Sequence, residues 1–205
     1  DSKHIMHTAI PSEDRPEQIA RSEIKEYLSV RQQRRLIFPR AALVGACAGL
    51  VALLFRAGLT GMDTLRNNLL AWAHRFSWAG WTFPVLFTLT AAGIAVAMTR
   101  RFSPEASGSG IPHLEAVLYR LKTLEWNRIL PVKFFGGIIA IGGGLALGRE
   151  GPTVQMGGAV GDAISRLLKV SGRERLTLIS AGAGAGLAAA FNAPLSGLIF
   201  VLEEV

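Results

Sequence analysis

Half of the 205 residues are hydrophobic, 23 are glycine and the mean hydropathy is +0.34, a profile that argues against an ordinary soluble domain. The net charge of +7 accompanies uncharged runs long enough to cross a bilayer, so it reads better as charge on cytoplasmic loops than as a nucleic-acid footprint. Cys47 is the only cysteine, which excludes a disulfide framework and a cysteine-based metal site.

Residues 1–15 are polar and are expected to lack fixed structure. From Glu17 onward, Ile19, Ile24, Tyr27 and Leu28 recur among charges, the pattern of an amphipathic helix able to lie on a membrane face. No signal-peptide core is visible, so residues 1–35 are expected to form a cytoplasmic N-terminal segment ahead of a membrane domain over residues 36–205. Arg31, Arg34, Arg35 and Arg40 precede the first apolar run, which places the N-terminus in the cytoplasm. Three runs set the class: residues 41–62, broken only by Arg56, residues 76–99 and residues 176–202 each suffice to span ~30 Å of hydrocarbon as a helix. The first is expected to run outward, and the second to return and end at Arg100 and Arg101.

At residues 107–112, SGSGIP ends one helix and starts another, with Pro112 in its first turn. The apolar stretch that follows, 113–121, is too short to cross a bilayer and is expected to be a re-entrant half helix whose end lines a cavity. Ser109 adds a hydroxyl beside free backbone N–H groups, although Gly-Ser-Gly is also an ordinary loop string. Segments 127–148 and 152–168 follow, and neither spans alone. Between them stand Arg149 and Glu150, flanked by 15 uncharged residues upstream and 11 downstream. An ionisable group at such a depth costs at least ~2.5–3.5 kcal/mol and persists mainly where it lines a pathway. Gly148, Gly151 and Pro152 present a helix N-terminus at Glu150, and such an end binds anions. A carboxylate there can fill the site itself and leave it on protonation; the plain alternative is a helix cap paired to Arg149. Anion contacts are therefore expected from Ser109 and from the N–H groups of the two helix starts, at Gly108, Gly110, Ile111 and Gly151.

Small-xxx-small spacings recur at Gly45/Gly49, Gly144/Gly148, Gly157/Gly161 and Gly182/Gly186, as close helix packing in lipid requires. The loop over residues 165–175 is basic, and if residues 127–168 cross once it faces outward against the charge rule. Residues 176–202 are expected to divide at Asn192 and Pro194, and as an overall outside-to-inside segment they put Glu203 and Glu204 at the cytoplasmic end. On a helix these two side chains diverge by about 100°, so at most one faces the interior. A competing reading takes residues 176–180 as a strand and Gly184, Gly186 and Ala189 as a dinucleotide fingerprint. Pro194, Gly197 and the lack of strand-helix alternation oppose it.

With GSGIP at 108–112, GREGP at 148–152 and GLAAAFNAPLSGLIFVLEE at 186–204, in that order, the chain resembles the CLC family of chloride channels and proton-coupled chloride transporters over residues 36–205. The resemblance implies an all-α, polytopic membrane protein with tilted, re-entrant and broken helices, half of an inverted-repeat fold. It matches Ser109 to the serine at the central anion and Glu150 to the external gating glutamate, with Arg149 beside it. Glu204 matches the internal proton-transfer glutamate, with Glu203 next to it. The implied ligand is a bound chloride ion without further cofactor or metal; the implied partners are chloride, protons, the bilayer and a second copy in a homodimer, with no nucleic acid. Ser109 favours chloride over nitrate, and Pro152 argues against fluoride. The family's second half, with its Gly-x-Phe-x-Pro helix start and inner-gate tyrosine, is not in this sequence, so a longer protein is expected. The function expected is chloride transport in exchange for protons by a multi-pass protein of the inner (cell) membrane, not an enzyme. The alternatives are a passive voltage- or pH-gated chloride channel and, remotely, a membrane-bound dinucleotide enzyme.

Overall fold

The computed structural model describes residues 15–76, 79–170 and 172–204, with side chains from residue 36 onward except at 79 and 204. Residues 1–39 and 40–205 form two separate units. Among the described residues there is no strand. The α-helices are α1 (Arg15–Ala73), α2 (Thr82–Phe102), α3 (Ile111–Leu118), α4 (Trp126–Gly142), α5 (Glu150–Leu167), α6 (Gly172–Phe191) and α7 (Pro194–Glu204). The helix expected from Glu17 is present as the start of α1, while residues 1–14 and the side chains up to residue 35 lie outside the described residues.

Leu36–Ala73 and Thr82–Phe102 are long and apolar enough to cross a membrane. The first runs 11 residues past its expected end at Met62 (73 − 62), because the polar residues there satisfy one another along the helix. Thr60 and Thr64 donate to the carbonyls four residues back, and Arg66 pairs with Asp63 at 3.2 Å. The second begins six residues later than expected (82 − 76). Phe76 is instead spent in the connecting turn, where it packs with Trp72 and Phe83 at centroid distances of 4.8 and 5.9 Å. Along α2 only Ala91 and Ala95 are buried, while Val85, Leu86 and Leu89 are more than half exposed. A helix that turns its alanines inward and its large apolar side chains outward suits hydrocarbon surroundings.

The interior is organised around α5, buried without interruption from Gly151 to Asp162. Its apolar contacts with α3, α4 and α6 centre on Leu114, Ile129, Val154, Ala159 and Ile179. The closest approach is to α6: a Cβ on Gly157 would fall on the Gly182 carbonyl, and one on Gly186 on the carbonyl of Thr153. Two of the four small-residue spacings thus mark a helix interface. Of the others, Gly49 faces open space and Gly144 is a turn residue with φ +106°. Overpacking costs about 1–3 kcal/mol, and more against a rigid backbone. Gly182→Leu is therefore expected to lower the thermal unfolding midpoint of the full-length protein in detergent, whereas Gly49→Leu leaves it unchanged; equal midpoints would remove the interface.

The basic loop 165–175 does not face away from the other basic segments. Arg166 donates to the Leu124 carbonyl at 2.8 Å, and Arg40 pairs with Glu174, so the α5–α6 turn, the α3–α4 turn and residue 40 share one end of the bundle. α4 and α5 run up and back, and together they form a hairpin that enters and leaves at the same end. At that end the buried Asp162 carboxylate accepts from Arg166 Nε at 2.9 Å and Arg175 Nε at 2.7 Å, which fixes the turn. The expectation that residues 176–202 descend in one direction is also corrected. Asn192, with φ +55°, breaks the run, and α7 folds back along α6 with Gly184 against Val201 and Gly197 against Ala188. Continued in that register, Glu204 falls level with Ala181, nine residues above Gly172 (181 − 172), or about 14 Å short of the basic end.

Candidate functional site

The chain after α4 turns at Gly143 and Gly144 and re-enters as α5, whose N-cap position is Arg149. Glu150 opens the helix, and the first intrahelical backbone bond there runs from Thr153 N to Arg149 O. The N–H groups of Glu150 and Gly151 thus have no helical partner, as the first turn requires, and Pro152 has none to offer. The Thr153 hydroxyl donates to the carbonyls of Arg149, at 3.1 Å, and Glu150, at 2.8 Å, which pins this turn from within. No side chain caps the helix. Arg149 is exposed and, among the described residues, forms no ion pair with Glu150, so the plain capping arrangement is not the one adopted. The Glu150 carboxylate instead folds back over Gly148, where a Cβ would stand in its place.

The second helix start lies against the first. Gly108 and Gly110 take φ +67° and +90°, values that side-chain-bearing residues avoid, and they swing the backbone so that α3 begins at Ile111. Ser109 Oγ accepts weakly from Ile111 N at 3.4 Å. A Cβ on Gly151 would stand 2.8 Å from both Cα and Cβ of Ser109, so only glycine allows the two helix ends to touch. Gly108, Ser109, Glu150 and Gly151 open into one cleft of about 610 Å³ between α2, α4 and the two turns. Its far wall is Ala92, Ala95 and Val96 of α2, and its floor is Gly136 and Gly137 of α4.

Not every expected residue reaches this cleft. Gly110 is buried behind the loop against the Gln155 carboxamide, Ile111 is half-buried, and Arg149 points away. Glu203 is exposed on α7, away from the lining; the Glu204 side chain lies outside the described residues. The dinucleotide reading loses its strand, since residues 176–180 are helical, and Gly184 is filled by Val201 and Gly197 of α7.

Two buried residues hold the loop, and neither was singled out from sequence. Lys133 Nζ donates to Ala106 O at 2.9 Å and Gly108 O at 2.7 Å, so its charge braces the loop backbone. Gln155 Nε2 donates to Glu105 O at 3.0 Å and lies 3.4 Å from His113 Nδ1. Lys133 stands alone between Val132 and Phe134 in apolar sequence, so the reasoning applied to Glu150 also singles it out. Chemically, the cleft combines helix N-terminal dipoles, a hydroxyl and one carboxylate. Such a set is able to bind an anion through partial charges and to carry one proton.

The model of the voltage gated chloride channel family matches residues 91–205. The H(+)/Cl(-) exchange transporter ClcA of Cronobacter sakazakii is 42% identical over 183 residues, 89% of this chain and 39% of the relative. The Vibrio cholerae protein of the same name is 43% identical over a stretch of the same length. Among solved structures, a slow cyanobacterial Cl-/H+ antiporter superposes with a TM-score of 0.79 at 36% identity, covering 82% of this chain and 40% of that one. A eukaryotic CLC transporter superposes with a TM-score of 0.69 at 26% identity, covering 82% and 33%. The chain spans about two-fifths of the length of the curated relatives it matches.

Proposed function

The chain belongs to the voltage gated chloride channel (CLC) family of integral membrane proteins, and on that premise we propose that it serves chloride transport coupled to the counter-movement of protons. The observation that carries this reading is the contact of two helix N-termini, at Ser109 and Gly151, in the cleft that also holds Glu150. A chloride ion sits between the two starts, held by the Ser109 hydroxyl and backbone N–H groups, with the buried ammonium of Lys133 satisfied elsewhere. Partial charges bind an anion weakly enough to release it, which a transport site requires. Glu150 competes with the anion as a carboxylate and yields when protonated, and Glu204 supplies protons from the opposite side.

The basic end of the bundle, with Arg40, Arg166 and Arg175, is the cytoplasmic one by the positive-inside rule, and so is the N-terminus. The relatives' printed name, exchange transporter, favours antiport over a passive channel, and a homodimer in the inner membrane is the assembly we assign. Chloride-loaded liposomes carrying the full-length protein test the reading: chloride efflux accompanied by proton uptake supports it, and efflux without protons leaves a channel. Ser109→Pro removes a hydroxyl and a backbone N–H from the site. One neutral hydrogen bond is worth about 0.5–1.5 kcal/mol, so the nitrate-to-chloride preference is expected to rise roughly two- to tenfold. Reversal potentials identical to the parent in mixed anion gradients would take Ser109 out of the site.

A further inference from the structure

A second cleft, of about 520 Å³, lies on the opposite side of the α2–α4 contact from the anion site, where the last turn of α2 meets the first turns of α4. Its rim carries Arg101, Asn127 and Arg128, and its wall is apolar, with Phe102, Pro131 and Phe135. Neither arginine is neutralised. Among the described residues Arg101 has no ion-pair partner, and Arg128 has only the exposed Glu125 at 4.0 Å, the outer limit of an ion pair. The two aromatic rings are open to the surroundings, Phe102 by 60% and Phe135 by 56%.

The geometry points to a binding site for one anionic phospholipid of the bilayer. The phosphate is held by Arg101 and Arg128 with Asn127 as a further donor, and an acyl chain runs along Phe102 and Phe135. Arginine presents a planar fork of donors that matches phosphate oxygens, and basic pockets between helix ends at a membrane interface select anionic headgroups. The apolar wall decides between a lipid and free phosphate, because a small hydrated anion gains nothing from exposed rings. The ends of α2 and α4 belong to the basic end of the bundle, at headgroup depth rather than mid-bilayer. The site shares no lining residue with the anion cleft except Val132, so it stands apart from the transport reading.

The test uses the full-length protein in detergent, titrated with phosphatidylglycerol or phosphatidylcholine and followed by native mass spectrometry of retained lipid. The parent is expected to hold phosphatidylglycerol and not phosphatidylcholine. The double variant R101Q/R128Q is expected to lose about thirtyfold in that affinity, roughly fivefold for each arginine at a membrane surface. Its thermal midpoint without lipid and its chloride flux in neutral liposomes are expected to match the parent, which separates loss of the site from loss of the fold. R101K/R128K, which keeps the charges, is expected to recover part of the binding. Equal phosphatidylglycerol affinity in parent and R101Q/R128Q overturns the proposal, as does displacement of the lipid by inorganic phosphate. No phosphatidylglycerol binding by the parent also overturns it, since another part of the protein then fills the cleft.

Discussion

Glu150→Ala or Glu150→Gln in the full-length protein is expected to leave chloride flux in place and to reduce chloride-driven proton movement by at least ~10²-fold, the usual contribution of a positioned proton-transfer group. Among the described residues this side chain is the only carboxylate lining the cleft at the two helix starts, and no ion pair holds it. It lies folded over Gly148, a glycine whose lack of a Cβ leaves room for that pose. Alanine removes both the competitor of the anion and the proton carrier. Glutamine keeps the shape and removes the proton. If the two variants differ, with coupling surviving in glutamine alone, shape rather than titration sets the coupling. Proton uptake against a fixed chloride gradient, recorded with a pH electrode, distinguishes these outcomes.

Glu204→Gln is expected to abolish proton coupling by a comparable factor while chloride still moves, and Glu203→Gln to weaken it less. A single carboxylate at the outer part of the path cannot carry protons across, so a second acid has to receive them from the other side. On the function proposed above, that acid comes from the last two residues of α7, Glu203 and Glu204. The backbone register along α6 stops Glu204 about 14 Å above the basic end, not at it. A proton bound there has already covered part of the bilayer, which suits a relay better than an interfacial position does. Glu203 is exposed on α7, and side chains of successive helical residues diverge by about 100°, so the two acids do not share surroundings. Full coupling with glutamine at 204 removes the relay and favours a passive channel.

The two helix starts were legible because Gly, Pro and isolated charges mark them in sequence: SGSGIP and GREGP place the starts of α3 and α5 within one or two residues, whereas the helix from Glu17 and the first span, expected as two, are one continuous α1. Directions were not legible. Whether residues 127–168 cross once or return depends on long-range bonds such as Arg166 to Leu124, 42 positions apart, and no periodicity encodes those. The same holds for the loop braces. Gln155 reads as one more polar residue on a helix until Gly110 is brought against it. The glycine spacings at 157/161 and 182/186 look the same in sequence as that at 45/49, and only the partner helix tells them apart.

The burial of α5 also bears on how the protein is made. The helix carries Glu150, Asp162 and Arg166, and by length and apolarity it is not among the helices able to cross a membrane. A nascent α5 leaving the ribosome has little reason to partition into lipid: its glycine face meets no partner, and Asp162 meets only Arg166 four residues on. Emergence of α6 changes both conditions at once, since it brings Arg175 to Asp162 and Gly182 to Gly157. Integration of this helix is thereby tied to synthesis of the next one, and a released chain truncated between residues 167 and 172 is expected to leave the segment at the membrane surface, open to protease.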